Sequence, residues 1–412
     1  MLRLNINSET SKLEAVLLHE PGPEVENMTP ATAERALYSD ILNLSIASEE
    51  YKQLKEVLGK VARIYELKDL LIKILKNNTA RSRIINDFSI FNSSISLNEQ
   101  LKDIPAQELA RIMIEGIPFS ELSLSNYLNK EQYIVSPLHN ALYTRDTSFV
   151  IGNKTFIGKM AKVVRIPETI VMKNIFEYSE AFETEVIDLN HLTSFQDKGV
   201  TVEGGDILVL SSEVIIVGIG SRTTARGIDE LIKLLSRYCS LKYVLIQELP
   251  DQPESFIHLD MVFTVLCDHE CLIYEPLILE STRYHTVLMT IENNKICKIE
   301  SIDNLIKGLL QIGIDMKPVI CGGSDKRSQE REQWHSGANV FAFDQGKIIG
   351  YRRNGHTAEE LSKQGYTILT ASEFIKRDLT SIPEKIMVTV DGSELSRGGG
   401  GVRCMTLPLR RV

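Results

Sequence analysis

NVFAFDQGKIIGYRRNGHTAEELSKQGY, residues 339–366, sets the expectation for the fold. Two short apolar runs flank Gln345-Gly346, and a polar stretch with helical character follows. β-Branched and aromatic residues bounded by turn formers are the signature of a hairpin. The stretch therefore predicts strand, turn, strand, helix. The same order recurs along the chain. FVIGNKTFIG (149–158) turns at Gly152-Asn153, and HLDMVFTVLCDHECLIYEP (258–276) turns at Asp268-His269. DILVLSSEVIIVGIG (206–220) turns at Ser211-Ser212 and precedes the helix-like TTARGIDELIKLLSRY. A fifth unit would join the terminal CMTLPLRR to LEAVLLHEP near the start. Closing a ring with strands from both ends removes exposed sheet edges. The expectation is an α/β fold built from loosely repeated units.

One span breaks the rhythm. From about Leu67 to about Asn129 the hairpins vanish, and KDLLIKILKN and AQELARIMIEG have the apolar spacing of helices. Strand-like VARIYEL before it and FVIGN after it predict a helical insertion, about 67–130, into one β-rich domain spanning 1–412.

Composition bounds the partners. The 412 residues carry 43% hydrophobic and 25% charged residues, ordinary values for a chain with a sizeable core. A net charge of −9 argues against nucleic acid or an anionic membrane as partner, but leaves room for a local arginine cluster facing a small anion. MLRLNINSETSKLEAVLL lacks the unbroken apolar core of a signal peptide. Six scattered cysteines fit a reducing compartment better than a disulfide framework, so a cytoplasmic location is expected. Cys267 and Cys271 bracket His269 in a hairpin turn, but their loose spacing and the missing second Cys/His pair argue against zinc.

The chemistry-bearing residues sit at the ends of the expected hairpins. SELSRGGGGVRCM (393–405) places four glycines and Cys404 among Arg397 and Arg403. Glycines allow a mobile, closely approaching loop. Either arginine could stabilise a thiolate, the nucleophilic form of cysteine. FIHLDMVF offers His258 and Asp260, which would share one face if the segment were a strand. Glu203 and Asp206 enclose two glycines, and Asp146 precedes another hairpin with Asn140 and Arg145 nearby. A thiol, a histidine and several carboxylates suit attack on a guanidinium carbon. Carboxylates match the guanidinium fork, and histidine moves protons.

These motifs, with LLHEPGPE and MTP (17–30), NALYTRDTSFVIGN, EGGD, SRTT (221–224), HLDMVFT and the FAFDQGKIIGYRRN region, resemble the arginine deiminases. That family belongs to the guanidino-group-modifying enzymes with a five-bladed α/β-propeller (pentein) fold. The resemblance implies hydrolysis of L-arginine to L-citrulline and ammonia in the cytoplasm. It implies a small-molecule substrate, no metal or organic cofactor, and a homo-oligomer. It casts Cys404 as nucleophile and His258 as general acid/base. Glu203 pairs with His258, and Asp146 and Asp260 clamp the guanidinium. Asn140, Arg165 and Arg222 match positions around the substrate α-carboxylate, Tyr143 stands beside them, and Asp206 completes EGGD. Agmatine or a modified arginine as substrate, or a non-catalytic arginine-binding role, are the alternatives. The chain departs from the pattern at Gly399, where an arginine is usual. This leaves Asp260 short of one partner unless Arg397 or Arg403 reaches it. It departs also at Val402, at Tyr143 in place of phenylalanine, and at Ser39-Asp40.

Overall fold

The computed structural model describes residues 1–92, 96–119, 124–129, 132–195, 199–280 and 283–412. Five sheets share one plan: an antiparallel hairpin whose second strand pairs in parallel with a later strand. In the first, Ser148–Ile151 pairs with Lys154–Ile157, which pairs with Glu185–Asp188. In the second, Ile207–Val209 pairs with Val214–Ile219 and then Tyr243–Glu248. The third runs Phe263–Cys267, Glu270–Ile273, Lys317–Ile320. The fourth runs Phe341–Asp344, Lys347–Tyr351, Ile386–Val390, with Thr367–Thr370 added outside. The fifth joins both ends of the chain: Leu407–Arg411 lies antiparallel to Leu13–Leu18, which lies parallel to Arg63–Glu66.

Each parallel step needs a crossover, and helices supply several of them. Ile166–Tyr178 spans the first sheet, Ala225–Leu235 the second, Gly355–Lys363 the fourth and Leu44–Val61 the fifth. Ala225–Leu235 shows why such helices form. Thr224 caps its start by accepting the Gly227 N–H at 3.2 Å, and Ile228, Leu231, Ile232 and Leu235 make one buried stripe. The hairpins are held by cross-strand pairs. Phe149 faces Phe156, their rings stacked 5.2 Å apart, a contact of about 0.5–1.5 kcal/mol beyond area burial.

The turns fall between the strands where the sequence places them, at 152–153, 210–213, 268–269 and 345–346. Between 67 and 129 lie the helices Leu67–Ile74, Asn78–Phe91, Ser96–Leu101, Ala106–Glu115 and Leu124–Asn129. Parts of that span, 93–95, 120–123 and 130–131, lie outside the described residues. A short ladder, Ile117–Pro118 with Tyr133–Val135, interrupts the helices, so strand pairing is not wholly missing from the region. A second hairpin goes beyond the expected pattern: Thr286–Glu292 and Lys295–Ile302 extend the second sheet to five strands. Among the described residues no helix is long and apolar enough to cross a membrane.

Candidate active site

The site residues occupy one structural position repeated around the sheets, the turn just before the first strand of each unit. Asp146 lies in the helical turn Thr144–Thr147 ahead of Ser148. Glu203 and Asp206 frame the 3₁₀ turn Gly204–Asp206 ahead of Ile207. His258 and Asp260 flank Leu259 ahead of Phe263. Cys404 precedes Leu407. The fourth unit contributes Asn339, ahead of Phe341, which sequence reasoning missed. Its Oδ1 accepts the N–H groups of Arg403 and Cys404 at 2.9 and 3.2 Å, and its Nδ2 donates to the Asp260 carbonyl at 2.9 Å. Asn339 thus ties the cysteine turn to the histidine turn. The repeat itself is the signal that could have found it.

The segment carrying His258 and Asp260 is a tight turn, Leu259–Met261, and not a strand. The Asp206 carboxylate accepts the Leu259 N–H at 2.9 Å and the Met261 N–H closes on the His258 carbonyl, which pulls the chain out of extended geometry. His258 lines a cavity with Asp146, Asn140, Tyr143, Arg165, Arg222, Met261 and Cys404. Asp260 and Asp206 do not line it. Asp260 points back to Arg403, and fully buried Asp206 supports the histidine turn from behind. Asp206 is therefore placed as a support and not as a cavity wall.

The electrostatics divide the site. His258 Nε2 lies 2.9 Å from Glu203 Oε2, and its Nδ1 lies 3.6 Å from Asp146 Oδ1. Burial opposes the charged ring, but Asp146, Glu203 and Asp206 outweigh it and raise His258 to about 9. Burial likewise opposes Glu203, yet the His258 hydrogen bond and Arg222, 3.6 Å away, hold it at about 2. Asp206 is pushed up to about 7 by burial. Burial, reinforced by the charges of Asp260 and Asp146, drives the Cys404 thiol well above its ordinary value. The same cavity thus favours the neutral thiol at Cys404 and the charged ring at His258.

The arginines fall into different roles. Arg165 donates to Asp146 Oδ2 at 2.5 Å, to Glu168 Oε2 at 2.9 Å, and to the carbonyls of Asn140 and Tyr143. Arg397 stays at the surface, 2.7 Å from Asp40, so it does not stabilise the thiol. Arg403 is buried and donates to Asp260 Oδ2 at 2.6 Å and Glu9 Oε2 at 3.0 Å. It supplies the Asp260 partner that Gly399 cannot. Asp146 and Asp260 each keep one buried oxygen, Oδ1, without a hydrogen-bond partner among the described residues.

Glycines make the close approaches possible. A Cβ on Gly205 would lie 2.7 Å from His258 Nδ1 and 2.8 Å from Asp146 Oδ1. Gly398 and Gly400 lie flush on Tyr143, whose ring atoms and hydroxyl would stand 2.3 Å from an added Cβ at either. This loop and Leu37, another wall residue the sequence did not signal, close the cavity to about 40 Å³. That is room for one or two waters. A larger open crevice of about 690 Å³ beside Gly220 and Arg283 contains no cysteine or histidine. Among the described residues no three His, Cys, Asp or Glu side chains gather in a way that could hold a metal.

Known proteins share the sequence and the fold of this chain. The chain aligns over 99% of its length with the arginine deiminase of Borrelia recurrentis, 30% identical and 98% covered, and with that of Listeria welshimeri, 31% identical and 98% covered. Among solved structures it superposes on a dimethylarginine dimethylaminohydrolase from Pseudomonas aeruginosa solved with citrulline. The TM-score is 0.52 at 12% identity, over 96% of this chain and 99% of that one, a likeness of α/β fold. Residues 34–411 match the family model for arginine deiminase, and the chain belongs to the arginine deiminase family.

Proposed function

We propose that the protein hydrolyses free L-arginine to L-citrulline and ammonia, with Cys404 as nucleophile and His258 as general acid/base. The observation that carries this reading is a buried thiol lining the same cavity as His258, which pairs with Glu203, and two buried carboxylates that each keep one oxygen without a hydrogen-bond partner among the described residues. In the proposal the five sheets are blades of a propeller in one catalytic domain, 1–412, with the helices of about 67–130 inserted, and the turns converge on its axis. The reading includes a cytoplasmic homo-oligomer with a small-molecule substrate.

The charges suggest the order of events. Asp146 and Asp260 raise the thiol, and a bound guanidinium would neutralise both and favour the thiolate. The thiol proton passes to solvent, and sulfur then attacks the guanidinium carbon. The C–N bond breaks, and His258 gives its proton to the departing ammonia. A thiouronium adduct on Cys404 remains. Neutral His258 takes a proton from water, whose oxygen forms the new C–O bond. The C–S bond breaks, the second water proton leaves the new C–OH to solvent as the carbonyl forms, and the thiolate returns. Glu203 stabilises the imidazolium throughout. Because the closed cavity is far smaller than an amino acid, the 398–401 loop must lift to admit one. Arg222 lines the cavity and is the cation assigned to the substrate α-carboxylate, assisted by Asn140 and Arg165.

The test is citrulline and ammonia release with L-arginine, agmatine and carboxyl-blocked arginine in parallel. Turnover of L-arginine alone is expected. Turnover only of another guanidine would move the substrate assignment, and silence on all three from folded protein would overturn the catalytic reading.

A further inference from the structure

The glycine loop over the cavity has two ends, and side chains distant in sequence fix both. At the cysteine end stands Asn339, which accepts the N–H groups of Arg403 and Cys404. A Cβ on Gly401 would lie 2.4 Å from its Oδ1, so that glycine is packed against it. The other end is 392–396, and two charged side chains of opposite sign hold it. Glu50, on the helix Leu44–Val61 and only 3% exposed, accepts the backbone N–H groups of Ser393, Glu394 and Leu395 at 2.8–3.1 Å. Arg353, just past the strand Lys347–Tyr351, donates from Nη1 to the carbonyls of Gly392 and Ser393, both at 3.2 Å, and to Ser396 Oγ at 2.5 Å. An anion meets a row of donors and a cation meets the acceptors of the same turn, so the bonds are charge-assisted on both sides.

The surroundings keep both anchors in place. Gln53, three residues after Glu50 on the same helix, exchanges two hydrogen bonds with Asp391, and Glu394 Oε1 accepts the Asn43 N–H at 2.6 Å. Arg353 Nη2 donates to His335 Nε2 at 3.0 Å, and burial with the charge of Arg353 keeps that ring neutral. Between the two fixed ends, Gly398, Gly399 and Gly400 line the cavity, and Gly399 has the φ of +91° that glycine adopts freely. Neither Glu50 nor Arg353 lines that cavity, so each can reach a substrate only through the loop.

We propose that Glu50 and Arg353 are positioning residues for the reaction. They hold 392–396 still, so that opening is confined to 398–400 and the glycines return to one seat on Tyr143. The proposal rests on the catalytic reading, in which the loop lifts to admit arginine. Without the anchors the closed seat loses occupancy, and substrate binding has to offset the difference. KM then rises before kcat falls.

The experiment is hydrogen exchange on peptides covering 393–401, read by mass spectrometry without substrate, beside steady-state kinetics with L-arginine. The variants are Glu50→Gln, Arg353→Met and Arg353→Lys, with circular dichroism to verify folding. Arg353 lies at the surface, so Arg353→Met tests the anchor where buried Glu50 fails to tolerate change. Arg353→Met should speed exchange at 393–395 about 10- to 100-fold, the effect of losing a charged hydrogen-bond partner, and leave exchange at 207–219 as it was. KM should rise about 10-fold while kcat stays within about 2-fold. Arg353→Lys, which keeps the cation, should recover part of the KM. Native exchange rates at 393–395 in Arg353→Met would overturn the proposal. So would faster exchange with KM unmoved, the result of a contact that is only structural. Exchange needs no substrate, so a native protein silent on arginine would count against the catalytic reading, and the exchange rates would still judge the anchor.

Discussion

Asp146 and Asp260 are chemically alike, both are buried, and both raise the Cys404 thiol, yet they sit in opposite halves of the site. Asp146 belongs to the half that lines the cavity, with His258, Arg165 and Arg222. Asp260 belongs to a sealed half, in which Arg403 binds Asp260 and Glu9 while Arg145 and Arg411 stand over the Phe341 ring. In that half burial pushes Arg145 down to about 9 and Arg411 to about 10, each with the charge of Arg403 adding to the effect. The contrast separates a carboxylate at the cavity wall from one held behind the wall by a buried arginine. Each holds its Oδ2 against a buried arginine, Arg165 or Arg403, so what differs is which side of the cavity wall that arginine stands on.

The sharpest way to break this division is Cys404→Ala. It should lower turnover about 10⁴-fold or more while thermal unfolding stays within a few degrees. Appreciable turnover in that variant would remove the cysteine from the chemistry. Arg403→Met should do the reverse. It strands two buried carboxylates, and urea unfolding at neutral pH should show a loss of about 3–5 kcal/mol. A stable Arg403→Met protein with Cys404→Ala-like kinetics would place the sealed half among the reacting groups.

The pH dependence of Glu203→Gln sharpens the cavity half. Glu203 titrates near 2 when folded, below its ordinary 4.5, so its stabilisation is present above 4.5 and fades as pH falls through 2. His258 is raised from 6.5 to about 9, so its share is complete below 6.5 and is lost as pH climbs through 9. The difference in unfolding free energy between native protein and Glu203→Gln should therefore peak between about pH 4.5 and 6.5 and shrink on both sides. A pH-independent difference would mean that the pair is not ionised as assigned.

Smaller effects follow. Arg222→Ala should raise KM for arginine roughly 10- to 100-fold with a lesser change in kcat, since carboxylate binding is shared by ground and transition states. An unaltered KM would remove it from the substrate site. Gly399→Ala should cost only about 1 kcal/mol. Its φ of +91° lies in the left-handed region, but the nearest atom to an added Cβ is a serine hydroxyl at 3.1 Å, a group that can turn aside.

The hairpins were legible because β-branched runs and turn pairs are local features. So were the cysteine, the histidine and the acids, which sit where those hairpins begin. The extra hairpin escaped because its turn is Asn293-Asn294, both at positive φ, an unusual pair that reads as polar surface. The Arg403–Glu9 contact escaped for another reason: its partners stand 394 positions apart, and no local pattern reports such a pairing. The same holds for Asn339, an unremarkable polar residue until the repeat gives it a place. The strand reading of His258 and Asp260 failed because a tertiary acceptor, Asp206, overrode the local extended preference.

The pairing of Leu13–Leu18 with Leu407–Arg411 also sets a timetable for biosynthesis. Chains emerge from the ribosome amino end first. A strand made among the first twenty residues must wait for one made some 400 residues later. Until then its partner edge stays open, and neither Arg403, which meets Glu9, nor Cys404 has been made. The last sheet to close is also the one most exposed to wrong partners, because contacts of such long sequence separation form slowly. Chaperone dependence should therefore concentrate on Leu13–Leu18.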